Sequence, residues 1–289
     1  MSTILTYNGR PLDIGTNNFI RYGTLDVWVP MTWNGITPRY AKDVWTDRNG
    51  TIYYSAGTDQ YVLNRATSTW TEKTWSGLTS FYGRHIWKLP SGYVMYSNGS
   101  NGQYYLSNST WTANTHKKPD DTTFSPYAEY MWTDGNRIFY NTSNVSYVKE
   151  SYNYINPISW NTCTWNGNSK PGFYGDNFWN DNNGHIYYSP GPTPHKIMDT
   201  TNYTFTDKTW NGLSFFNGED VWKDLYGRIF YSGYLSSYSS AYGNYILDVA
   251  TSTWSEKTWD GFTPTYGHCI WNDGYSLYYS DGNTQYRLT

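Results

Sequence analysis

Five tyrosines recur at one place in a repeating pattern. Tyr40, Tyr82, Tyr127, Tyr174 and Tyr266 each stand five residues before a tryptophan, and each is followed by Gly or Ala. Phenols gathered at one opening could stack on sugar rings or aromatic side chains, each with a hydroxyl to fix orientation. Two residues further on, the residue type changes from copy to copy: Lys42, Arg84, Glu129, Asp176, Glu219 and His268. Architecture does not require such variety, so these side chains are candidates for tuning a polar entrance; the plainer reading is a solvated lining. A third group lies in residues 232–244, where Tyr234, Tyr238 and Tyr242 sit among Ser and Gly, the mixture of adaptable binding loops. The expected ligand-binding set is therefore Tyr40, Tyr82, Tyr127, Tyr174, Tyr266, Arg84, Glu129, Asp176, Tyr234, Tyr238 and Tyr242. A repeated residue is also what packing between repeated units produces, so the five tyrosines have an architectural reading as well.

Motifs for catalysis are missing. The chain has no Gly-x-Ser-x-Gly elbow, no phosphate-cradling glycine loop and no His-Glu-x-x-His helix. Its two cysteines, Cys163 and Cys269, cannot close a zinc site, and the five histidines show no close spacing. No catalytic residue, metal or cofactor is expected. A net charge of −3 without any Lys/Arg block leaves no electrostatic footprint for nucleic acid. No stretch approaches the ~18 apolar residues of a spanning helix. Residues 1–10 lack a basic start followed by an apolar run, so no secretory leader is expected.

The elements that must position these residues are set by the aromatics, which make up 20% of the chain. An anchor tryptophan followed by a polar turn and an aromatic pair recurs at Trp45, Trp87, Trp132, Trp179, Trp222 and Trp271, at spacings of 42, 45, 47, 43 and 49 residues. A second motif sets two aromatics five apart, usually ending in Trp-x-Gly: Trp28/Trp33, Trp70/Trp75, Trp160/Trp165, Phe205/Trp210 and Trp254/Trp259, with Trp111/His116 as a degenerate copy. All 16 tryptophans fall in these slots.

Each unit reads as four short strands, a to d, with Asp, Asn and Gly turns between a and b. Four strands at this period make a propeller blade. The last unit stops at residues 286–289 without a d strand, while a spare d strand lies at residues 26–33. The expected fold is thus an all-β, six-bladed propeller over residues 26–289, closed by an N-terminal strand that completes the last blade. An open solenoid explains neither the missing strand nor the spare one. The a–b and c–d turns share one face. The b–c and d–a loops share the other, and residues 117–126, 190–194 and 232–244 on that face vary most in length.

The segments Tyr61-Val-Leu-Asn-Arg-Ala-Thr-Ser-Thr-Trp70 and Tyr245-Ile-Leu-Asp-Val-Ala-Thr-Ser-Thr-Trp254 resemble the strand-turn-Trp segment of the kelch and galactose-oxidase propeller superfamily. The resemblance covers about residues 26–289 and departs from the kelch pattern in having no Gly-Gly doublet. It implies one enzymatic possibility, a copper site of the galactose-oxidase kind. Tyr266-Gly-His-Cys269 would have to supply it, with His85 as the one histidine in matching register.

The function expected from the sequence is non-enzymatic recognition. A surface rich in Thr, Ser, Asn and Tyr suits a virion protein, such as a phage tail or appendage, that binds a host-surface glycan or a neighbouring virion protein through the b–c/d–a face. Residues 1–25 would be an arm that docks on a virion assembly partner. The alternatives are an intracellular, cytoplasmic kelch-like adaptor and, behind it, a copper oxidase or glycan-active enzyme.

Overall fold

The computed structural model describes residues 6–7, 10–14, 20–22, 26–99, 102–141, 146–149, 158–163, 175–192, 194–202, 204–236 and 241–289. The chain is an all-β propeller. The first of its antiparallel sheets runs through four strands, Val44–Thr46, Ile52–Gly57, Asp59–Asn64 and Thr69–Glu72 in that order, with Phe81–Tyr82 pairing as a fifth on the end of Ile52–Gly57. Four more such sheets begin at Ile86–Lys88, Met131–Thr133, Phe178–Asn180 and Val221–Lys223. In the sheet begun by Ile270–Asn272 the outer strand is Trp28–Pro30, which pairs antiparallel with Thr284–Leu288 in the register Leu288 to Trp28 and Tyr286 to Pro30. The strand from the beginning of the polypeptide therefore completes the sheet built by its tail. Six 3-10 turns precede the inner strands, from Ala41–Asp43 to Gly267–Cys269, each against the next and the sixth against the first. They line the axis.

The number of sheets expected from the tryptophan repeat is corrected. Among the described residues of 26–289 there are seven sheets of three or more strands, not six. The seventh is formed by His116–Lys117, Thr123–Phe124 and Ile158–Ser159. Elsewhere the outer strands of neighbouring sheets meet through a single parallel bridge, as Ser76 does with Thr110 and Asn211 with Thr253. The backbone bonds of that clasp run from Trp111 N to Ser76 O (2.8 Å) and from Trp254 N to Asn211 O (2.9 Å). Gly77 and Gly212 make this approach possible. Their φ angles are +85° and +83°, and a Cβ on either would sit 1.9 Å from the carbonyl oxygen of Trp111 or Trp254. Where the motif degenerates to His116, the clasp lengthens into a parallel pair, His116–Lys117 with Ile158–Ser159. Residues 117–126, expected as a stretched d–a loop, fold back as the hairpin of this sheet.

Every anchor tryptophan is buried and donates its indole N–H to the polar residue that follows its aromatic pair. Trp45 bonds Ser55 Oγ (2.9 Å), Trp87 Ser97 (2.9 Å), Trp132 Asn141 Oδ1 (2.8 Å), Trp179 Ser189 (2.9 Å), Trp222 Ser232 (3.0 Å) and Trp271 Ser280 (2.9 Å). In three sheets the serine passes its own hydrogen on, to Gln60 (2.6 Å), Asn244 (2.6 Å) and Gln285 (2.7 Å). Their amides then donate to carbonyls of the d–a loop, at Phe81, Pro264 and Pro38. An unpaired indole N–H in such a core carries a desolvation penalty, which the hydroxyl or amide at that position removes; the buried indoles of Trp28, Trp70, Trp111 and Trp254 have no such partner among the described residues. The relay also fixes the loops that carry the tyrosines.

His116, at the degenerate slot, is fully buried and stacks on Trp160, whose Nε1 donates to His116 Nδ1 at 3.0 Å. Burial, helped by the charge of Lys149, pushes its imidazole down to about 3. The unfolded chain takes up that proton near pH 6.5, roughly the free-imidazole value. Between pH about 6.5 and about 3 only the unfolded state is protonated there, so stability should fall as the pH drops through this window, and this group adds no slope above it. His85 and His195, also held low by burial, act with the same sign. Urea unfolding at a series of pH values should show the slope reduced by about 1.4 kcal/mol per pH unit in His116→Phe, the one-proton value. An unchanged slope would show that the imidazole is not confined as described.

Within residues 1–25, Thr6–Tyr7, Arg10–Ile14 and Ile20–Tyr22 form an antiparallel meander. The rest of that segment, with its expected docking arm, lies outside the described residues.

Candidate ligand-binding site at the channel mouth

Three described tyrosines of the recurring set sit on d–a segments bridged by backbone to the preceding sheet. Tyr40 pairs with Asp281, Tyr82 with Ala56 and Tyr127 with Asn98. Tyr266 is one residue past Thr265, beside the anchored Pro264 carbonyl. The glycines after Tyr82 and Tyr266 have a steric cause: a Cβ on Gly83 would lie 2.1 Å from the Asp43 carbonyl oxygen and one on Gly267 1.9 Å from that of Asp220, each in the neighbouring turn. The architectural reading thus accounts for where the tyrosines are placed, but not for what their rings face. Tyr40 and Tyr82 are 50% and 44% exposed. Tyr127 packs edge-on to His85 at 5.0 Å. Tyr174 and Tyr238 lie outside the described residues.

Arg84 stands between the two exposed rings, its guanidinium 5.9 Å from the centre of Tyr40 and 5.2 Å from that of Tyr82. It is fixed from below by Asp43, which is fully buried and accepts from Arg84 Nε at 3.0 Å and Nη2 at 2.7 Å. This charge-assisted pair holds the guanidinium proton more tightly than usual. Arg84 also lines the cavity at the mouth.

Tyr234 and Tyr242 were singled out in one loop and Tyr266 in the recurring set, and the structure joins them. The three hydroxyls form a triangle with sides of 2.9, 3.0 and 3.0 Å. The Tyr234 and Tyr242 rings stack at 4.5 Å, and Tyr266 stands edge-on to both. Hydrogen bonds from Tyr242 and Tyr266 lower the Tyr234 phenol, whereas the bonds of Tyr266 with Tyr234 and Tyr242 raise that of Tyr266. Below, Tyr266 stacks on His268 at 5.0 Å, and His268 Nδ1 bonds the buried Asp220 carboxylate at 2.7 Å.

The six residues of changing type occupy the middle of the six 3-10 turns and together line one cavity of about 430 Å³. Lys42 Nζ reaches Glu219 at 3.1 Å. Glu129 faces His85 Nε2 at 3.8 Å, and burial keeps that imidazole low. Asp176 is pushed above the usual carboxylate range by desolvation and by the charge of Glu219. The sequence reading left Lys42, Glu219 and His268 out of the binding set; their shared position in the repeat was the signal that they belong with Arg84, Glu129 and Asp176. It also missed Asp43, whose role shows only where two turns meet.

Among the described residues, Glu219, Asp220 and His268 bring ligand atoms within 4.8 Å of one another, close enough to hold a metal ion. The copper set implied by the family resemblance is not assembled: His85 lies on a turn two removed from Gly267–Cys269. Burial, with Asp281 and Asp220 nearby, pushes the Cys269 thiol up to about 12, so it is not a nucleophile near neutral pH.

No family model matches the chain, and no curated protein matches it. Solved structures with similar folds include extracellular domains of signalling proteins from B. thetaiotaomicron. One, from a one-component system, is 10% identical over 93% of this chain and 39% of its own, with a TM-score of 0.50. Two others come from hybrid two-component systems. The first is 11% identical over 90% of this chain and 42% of its own, TM-score 0.53; the second is 9% identical over 91% and 42%, TM-score 0.50. This chain spans about two fifths of the length of those domains. At such identity the likeness shows the β-propeller fold alone. No helix among the described residues is long and apolar enough to cross a membrane.

Proposed function

We propose that this propeller is a non-enzymatic recognition module that binds a surface glycan at the channel mouth, on the face of the b–c and d–a loops. The observation that carries the reading is Arg84, fixed by a buried carboxylate between two exposed tyrosine faces and opening onto a cavity. Aromatic faces next to a pre-organised donor suit sugar rings, which present C–H patches beside hydroxyls. Binding to a glycan array, with Tyr82→Ala and Tyr242→Ala each weakening it about tenfold, is the expected result, the size of one lost stacking contact. Absence of binding to any glycan, or full binding by both variants, would refute it.

The setting we propose is a virion appendage, on the strength of the Thr/Ser/Asn/Tyr-rich surface; genes for capsid, portal or baseplate beside this one are the expected finding. The kelch-like segments support the same class of binding propeller. A host peptide held in the channel, as in an adaptor, would instead survive Tyr242→Ala.

A further inference from the structure

In ring order the six 3-10 turns present His268, Lys42, Arg84, Glu129, Asp176 and Glu219, each turn touching the next. The signs do not alternate. The groups able to carry positive charge stand on three consecutive turns and the carboxylates on the other three, facing one another across a single cavity. The buried carboxylates Asp43 and Asp220 stand behind Arg84 and His268, so the mouth sets paired cationic groups on one side against Glu129 and Asp176 on the other. Below this collar the lining turns apolar, with Val44, Ile86, Phe178 and Val221 from the residue before each anchor tryptophan.

The two halves are not equally satisfied. Arg84 is held by Asp43 through Nε and Nη2, and Lys42 spends its charge on Glu219 in a half-exposed pair that a ligand anion can rival at little cost, since solvent screens such pairs. On the acidic side Asp176 has no ion-pair partner among the described residues. Its carboxyl is exposed and lines the cavity, and desolvation together with the charge of Glu219 disfavours its ionised form, an effect that a ligand cation would offset.

We propose that the channel mouth selects a zwitterion: an anionic group against Arg84 and Lys42, an ammonium against Glu129 and Asp176, and an aliphatic stem over the apolar collar. The ligand class is a small amino acid or an amino-bearing, acid-bearing group at the end of a glycan. This rests on the recognition surface proposed above and specifies what the surface discriminates.

The test is calorimetric titration of the full chain with glycine, 4-aminobutyrate and 6-aminohexanoate, alongside hexylamine and hexanoate, at low ionic strength. At least one zwitterion should bind about tenfold more tightly than either singly charged probe, because only it meets both halves of the field. Asp176→Asn, at an exposed position that no ion pair needs for folding, should abolish that advantage while leaving hexanoate binding unchanged. Equal binding of zwitterions and singly charged probes, or an advantage that survives in both Asp176→Asn and Glu129→Gln, overturns the proposal. If it falls while a neutral glycan still binds in a Tyr242-dependent manner, the recognition surface stands and only its charge selection is wrong. If neither class binds, both readings fall together.

Discussion

Replacing Trp28 with alanine is expected to lower the free energy of unfolding by about 3–5 kcal/mol, the range for removing a fully buried tryptophan. Trp28 is 0% exposed and meets Trp222, Trp259 and Tyr279 edge-on at 6.3, 6.0 and 6.5 Å. Those three residues belong to two different sheets, so the indole on the closing strand is the wedge that joins the last sheet to its neighbour. Its loss leaves a cavity lined by rigid rings that cannot collapse into it, which places the expected cost toward the upper end. Urea denaturation followed by tryptophan fluorescence reads the loss as a lower midpoint with unchanged slope. A shift worth less than about 1 kcal/mol, typical of a surface position, would mean that the closing strand is dispensable.

Arg84→Met is expected to cost about as much, roughly 3–5 kcal/mol, although Arg84 is at the surface. The cost comes from its partner. Asp43 has no exposure and depends on the guanidinium for two of its hydrogen bonds, at 3.0 and 2.7 Å. Removal of the arginine strands an ionised carboxylate in the wall of the channel. The double variant Arg84→Met, Asp43→Asn, in which no buried charge remains, should recover more than half of the loss, and the difference measures the coupling. A single-variant cost below about 1 kcal/mol would mark the pair as a solvated one. Glycan binding should be lost in both variants, so stability and recognition separate in the double one.

Much of this was legible in the residues because the core is written in tryptophan. Each anchor indole has a large buried slot and a partner for its N–H, and that arrangement repeats at every unit, so the four-stranded sheets and the displaced closing strand could be read from spacing. The seventh sheet could not. Its clue, His116 in place of a tryptophan, reads as degeneration, and only the parallel pairing with Ile158–Ser159 shows that it extends an inter-sheet clasp. The meeting of Tyr234 and Tyr242 with Tyr266 was equally hidden, because it depends on how far the paired strands Ile229–Tyr234 and Tyr242–Asp248 project toward the next sheet. The order of charges around the mouth, in contrast, follows the order of the units in the chain and becomes readable once the ring is known.

The pairing of Trp28–Pro30 with Thr284–Leu288 also has a mechanical consequence. Val27 and Thr289 exchange backbone hydrogen bonds at 3.4 and 3.0 Å, so the two ends of the ring leave the fold side by side. Tension applied through attachments at both ends would fall first on that short seam and on the bonds from Asp26 and Trp28 to Arg228, Lys257 and Asp260 of the neighbouring unit, while the sheets farther round the ring bear no load until these part.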